Sequence, residues 1–131
     1  MIEAGQAPKN SKVVILGLTF KENCPDTRNS KVDDIIKRLN GYGITPVVVD
    51  PWASERDAMH EYGVTLTKLE DVKDADCVIV AVAHNEFRAM SLADIKALFK
   101  DGADDEKVLL DVKGLYKVDE LNASGMRWWR L

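Results

Sequence analysis

Cysteine is scarce in this sequence. Cys24 and Cys77 are its two, far apart and in no spacing that ligates a metal, so reduced thiols in a cytosolic setting are the simplest reading. Excess positive charge is absent as well. A net charge of -4 argues against a nucleic-acid or polyanion-surface role. No apolar run approaches the roughly 20 residues of a membrane span, and no basic stretch precedes a hydrophobic core at the amino terminus. Internal repeats and low-complexity tracts are missing too.

What is present is an ordinary globular composition, 46% hydrophobic and 31% charged over 131 residues. That length makes one domain, able to bury roughly two-thirds of the surface its unfolded chain exposes. Residues 1–11 are mixed and broken by Gly5 and Pro8, which reads as a linker or the end of an interdomain helix; the domain proper is expected over 12–131.

From there short apolar runs alternate with amphipathic segments. Lys12 to Leu16 is a β-branched run of the kind buried on both faces of a parallel sheet. After a loop broken by Pro25, Asn29 or Ser30 can cap a helix whose Val32, Ile35, Ile36 and Leu39 form one apolar stripe, ended by Gly41 or Gly43. Val47 to Val49 follows as a strand closed by Asp50-Pro51, then a helix from about Ser54 to Tyr62 stopped by Gly63. A weak strand, Val64 to Leu66, and an acidic turn around Leu69 to Val72 lead to Asp76–Ala83, the most apolar run and the expected central strand. Ser91 caps a further helix, Lys107 to Leu110 is a strand, and a short helical segment around Val118 to Asn122 precedes a last strand, Met126 to Trp129. Along that strand Trp128 and Trp129 are expected to alternate between the core and a partner surface. Right-handed crossovers turn this order into a Rossmann-like, doubly wound α/β fold: a mainly parallel sheet of about six strands, ordered 3-2-1-4-5-6, with helices on both faces.

Such folds bind ligands outside the carboxyl ends of the strands, where the order reverses. The first such edge lacks the G-x-G-x-x-G that brings a pyrophosphate onto the backbone; Gly17 is followed by Leu18, Thr19, Phe20 and Lys21. Without those glycines Asp50 reads as a strand-ending turn rather than a ribose ligand. The same edge lacks the acidic pair of a phosphoacceptor receiver, so no hard-cation cage is expected. What it does carry is cationic: Lys21 and Arg28 in the loop after the first strand, and Lys113 after the fifth. Converging loops would let these groups take a phosphate, with Arg28 offering a bidentate fork. Phe20 can stack on a base or pack on a neighbouring domain. His84, with no partner carboxylate or serine at meaningful spacing, reads as a packed or capping histidine, and Cys24, between Glu22 and Asp26, as incidental.

Residues 17–32, Gly-Leu-Thr-Phe-Lys-Glu-Asn-Cys-Pro-Asp-Thr-Arg-Asn-Ser-Lys-Val, closely resemble the C-terminal domain of the nucleotide-sugar 6-dehydrogenases, the family of UDP-glucose, GDP-mannose and UDP-N-acetylhexosamine dehydrogenases. The likeness continues through Val-Val-Asp-Pro at 48–51, residues 74–84, and Leu-Asp-Val-Lys-Gly at 110–114. The wording at 23–30 is most similar to the branch that oxidises UDP-N-acetylated hexosamines for bacterial surface polysaccharide. The resemblance implies a partner N-terminal domain that binds NAD, a central helical dimerisation region, and oxidation of the sugar C6 alcohol to a carboxylate through a catalytic cysteine. Neither Cys24 nor Cys77 lies in that cysteine's motif, so no catalytic residue and no metal ligand is expected here. It assigns Phe20, Lys21 and Lys113 to the nucleotide-sugar and Arg28 to the NAD phosphates across the domain cleft. Some relatives carry arginine at the Lys113 position.

The expectation is therefore a UDP-sugar-binding C-terminal domain, inactive alone, cytoplasmic, working with its own N-terminal and central domains in a homo-oligomer, and touching neither nucleic acid nor membrane. Two rivals stand beside it. One is a structural or oligomerisation domain with no ligand role; the other is a free-standing dinucleotide-binding oxidoreductase, which the missing glycines disfavour.

Overall fold

The computed structural model describes residues 11–19, 21–26 and 31–130. Their organising element is a five-stranded, wholly parallel sheet ordered β2-β1-β3-β4-β5. The strands are β1 (Val13–Leu16), β2 (Val47–Val49), β3 (Cys77–Val80), β4 (Val108–Asp111) and β5 (Arg127–Arg130). Five replace the expected six. Val64–Leu66 contributes only a single parallel bridge, Leu66 to Val48, on the outer side of β2. The segment lies where the expected order put it, but too little of it pairs to count as a strand. The switch of direction falls between β1 and β3.

β1 and β3 are buried along their whole length, as their continuous apolar runs require. Alternation along them feeds two cores. Val13, Ile15, Cys77 and Ile79 face α1 (Val32–Gly41) and α2 (Glu55–Tyr62) through Val32, Ile36 and Ala58. Val14, Leu16, Val78 and Val80 face α3 (Asn85–Arg88), α4 (Leu92–Lys96) and α5 (Val118–Ala123) through Phe87, Ile95 and Leu121. Helices thus cover both faces.

Local chemistry sets the helix ends. The Ser54 hydroxyl accepts from Asp57 N–H at the start of α2, and Gly63, at φ +66°, closes it in the left-handed region. Ser91 and Asp94 form a reciprocal capping box on α4. The α1 stripe is as expected, with Val32 and Ile36 buried and Ile35 and Leu39 packed against them; its expected caps, Asn29 and Ser30, lie outside the described residues. At the sheet's edge Trp128 packs on the core while Trp129 is exposed. No helix among the described residues is long and apolar enough to cross a membrane.

Candidate functional site

Parallel strands bring every β-to-α connection to one edge, and that edge holds two of the residues singled out from sequence. Lys21 follows β1 and Lys113 follows β4, both exposed. Phe20 and Arg28 lie outside the described residues. A third cation that sequence reasoning passed over, Arg130, ends β5. Its guanidinium lies over Gly114, where φ is +67° and a Cβ would collide with it. The β4–β5 register, Asp111 opposite Arg130, is the signal that places it beside the Lys113 turn. That turn is pinned by the buried Asp111 carboxylate, which accepts from the N–H groups of Leu115 (2.9 Å) and Tyr116 (3.1 Å).

The Lys21 loop is held by a network centred on Asp50. Oδ2 of Asp50 accepts from Leu18 N–H (2.7 Å), Thr19 N–H (3.0 Å) and His84 Nε2 (2.9 Å). Its Oδ1 accepts from Trp52 N–H (2.7 Å) and Ala53 N–H (3.1 Å), which is the strand-ending turn read from the sequence. Burial alone pushes this carboxyl up; the hydrogen bonds from His84, Leu18 and Thr19 outweigh that and hold it below its ordinary value. His84 has no exposed surface and sits between the rings of Trp52 (6.0 Å, stacked) and Phe87 (5.7 Å, tilted). It is packed, as expected, but it does have a partner carboxylate, contrary to the sequence reading. The pair is 34 residues apart and meets because β2 and β3 flank β1. Nδ1 of His84 accepts from Asn23 N–H at 2.9 Å, so the hydrogen-bond pattern places the imidazole proton on Nε2, facing Asp50.

These contacts also decide whether this edge fits a dinucleotide of its own. A ribose would need the Asp50 carboxylate, and both its oxygens are taken up by N–H groups. Gly17, at φ +109°, packs against Val82, which lies where its Cβ would be, so this glycine serves the close approach of β1 to the segment after β3. Among the described residues, this edge therefore offers neither a free ribose acid nor a glycine cradle for a dinucleotide. Next to the network, a cleft of about 540 Å³ opens at the end of β2 over Val49, Leu66, Leu69 and Phe87. Glu55, Glu70 and Glu86 line it against Lys68, a balance that repels a diphosphate. No cluster of three or more potential metal ligands occurs among the described residues.

Residues 14–118 match the family described as the UDP-glucose/GDP-mannose dehydrogenase family, UDP binding domain. The chain belongs to this family. It is 48% identical over 110 residues to UDP-N-acetyl-D-glucosamine 6-dehydrogenase of Pseudomonas aeruginosa, a match covering 84% of this chain and 25% of that protein. It is 38% identical over 131 residues to Protein CapL of Staphylococcus aureus, covering 100% of this chain and 30% of that one. The UDP-binding domain thus spans between a quarter and a third of the length of these relatives. Among solved structures, NDP-N-acetyl-D-galactosaminuronic acid dehydrogenase from Methanosarcina mazei Go1 superimposes with a TM-score of 0.81 at 22% identity, over 98% of this chain and 26% of that one, and it shares the fold.

Proposed function

We propose that this UDP-binding domain holds the nucleotide part of a UDP-sugar within an NAD-dependent UDP-sugar 6-dehydrogenase. That enzyme oxidises the sugar C6 alcohol to a carboxylate, for surface polysaccharide synthesis in the cytoplasm. The observation that carries the reading is the exposure of Lys21 and Lys113 on one sheet edge of a chain that belongs to this family. Two ammonium groups there suit a diphosphate, and Phe20 adds a surface for the nucleotide at the boundary with the catalytic half. Arg28 faces NAD bound mainly by the N-terminal domain, in keeping with the missing glycine fingerprint after β1. Chemistry belongs to the other domains, so this domain alone is inactive and contributes by fixing C6 in place. Calorimetry with UDP and UDP-sugars on the domain joined to its catalytic half tests the assignment. Lys21→Ala should weaken substrate binding about tenfold, the scale of one charge-assisted contact; unchanged affinity would sink the role of Lys21.

A second reading has its own observation. Trp129 is exposed on β5, the terminal strand of the sheet, and invites a contact between subunits. Under it the domain serves oligomer assembly and the cations serve interfaces. A chain that sediments as a monomer at all concentrations and still binds UDP contradicts it.

A further inference from the structure

We propose that Asp50 and His84 are positioning residues for Lys21: one buried imidazole, oriented by one buried carboxylate, holds the loop that presents this ammonium to the diphosphate. The inference rests on Lys21 being a phosphate ligand. The backbone on both sides of Lys21 is tied to the same ring. On one side, the Lys21 carbonyl accepts from the Thr19 hydroxyl at 3.0 Å, and that hydroxyl oxygen lies 3.1 Å from His84 Nε2. On the other, Asn23 N–H donates to His84 Nδ1 at 2.9 Å. Asn23 is in the left-handed region, at φ +54°, a conformation that asparagine tolerates when its side chain is bonded locally. Here the Asn23 Oδ1 accepts from Asn85 N–H (2.9 Å) and its Nδ2 donates to Asn85 Oδ1 (3.1 Å), locking the loop onto the start of α3.

The ring serves this purpose only in one tautomer. Asn23 needs a lone pair on Nδ1, and the Asp50 carboxylate supplies that by drawing the proton to Nε2. Asp50 at the same time fixes the backbone just before the loop, through Leu18 and Thr19. A lysine on a loop that is already ordered gives up less freedom when the phosphate arrives, so the arrangement raises affinity without touching the ligand.

A double-mutant cycle reads this directly, with UDP titrated into the 131-residue chain and amide NMR shifts as the signal. His84→Gln keeps a donor toward Asp50 and removes the acceptor for Asn23; His84→Asn keeps an acceptor near Nδ1. His84→Gln and Lys21→Ala should each weaken UDP binding about tenfold. The double variant should be no weaker than Lys21→Ala alone, and His84→Asn should recover most of the loss. Should His84→Gln not fold, Thr19→Val, which removes the hydroxyl at nearly constant shape, replaces it in the cycle with the same expectation. Additive losses, or full affinity in the His84 or Thr19 variant while Lys21→Ala is weakened, overturn the positioning role and leave the phosphate reading intact. No effect of Lys21→Ala, or no UDP binding by the parent chain, overturns the phosphate reading and the positioning role with it.

Discussion

Asp50 sits where residue-level reasoning came closest and still fell short. Its short side chain after a strand and before proline signals a turn, and Oδ1 does make that turn. The second oxygen answers to neighbours that are distant in sequence, which no local pattern reveals. The predicted strand order nevertheless held the clue, because it set the ends of the second and fourth expected strands on either side of the first. Asp50→Asn is expected to cost about 3 kcal/mol, since an amide NH₂ would confront N–H donors and leave His84 without its acceptor; chemical denaturation measures it. The pH dependence has a definite sign. A carboxyl held below its unfolded value of 3.8 stabilises the fold fully above that pH and ceases to do so as pH falls through the lower folded value. The acid limb of the stability profile should therefore flatten in Asp50→Asn. Cys77, buried in β3 with its thiol pushed up to about 12 by burial and by nearby Asp76, should resist alkylation in the native chain at pH 8. The half-buried Cys24 should react first, and mass spectrometry after a brief thiol-reagent pulse distinguishes the two.

Elements were legible in proportion to how strongly burial shapes their sequence. β1 and β3, apolar at every position, could be read because both faces meet helices. α2 announced itself by Ser54 at one end and Gly63 at the other. Ser54→Ala should cost about 1 kcal/mol through loss of the bond to Asp57 N–H, measured as a lower melting temperature. α3 was not foreseen: four residues are too few to show a helical period, and its anchor is tertiary, with Phe87 in the core and Arg88 Nε donating to Ala83 C=O. Val64–Leu66 was foreseen as more than it is, because β-branching marks a strand without saying how much of it finds a partner. At the exit of β1 the requirement for glycine is steric. Gly17→Ala would strain a φ of +109° and set its Cβ 2.5 Å from that of Val82. A loss of about 2 kcal/mol or more is expected by denaturant titration, together with weaker UDP binding, because the Lys21 loop starts there.

For the molecule as a whole, the sheet separates two kinds of edge. The amino edge is knitted together by structural ion pairs, such as Lys100 to Asp76 at 2.6 Å. The carboxyl edge holds cations after β1 and β4 and at the end of β5, with an acidic cleft beside the Asp50 network at the end of β2. Of that division the sequence showed only the cations after the first and fifth expected strands; Arg130, the acidic cleft and the ion pairs of the amino edge came from the structure. The grip of the Asp50–His84 pair on the Lys21 loop was not visible in the sequence either, since it depends on side-chain directions that only packing determines. On the proposed reading such a domain offers half a site, with Lys21 and Lys113 for a diphosphate and the dinucleotide held mainly by another domain. The most direct measurement of that claim is a calorimetric titration of UDP and of NAD into the 131-residue chain, repeated with Lys21→Ala/Lys113→Ala. UDP should bind, NAD should not, and the double substitution should lower UDP affinity at least tenfold. Binding of NAD in preference to UDP, or UDP affinity indifferent to both lysines, would contradict it.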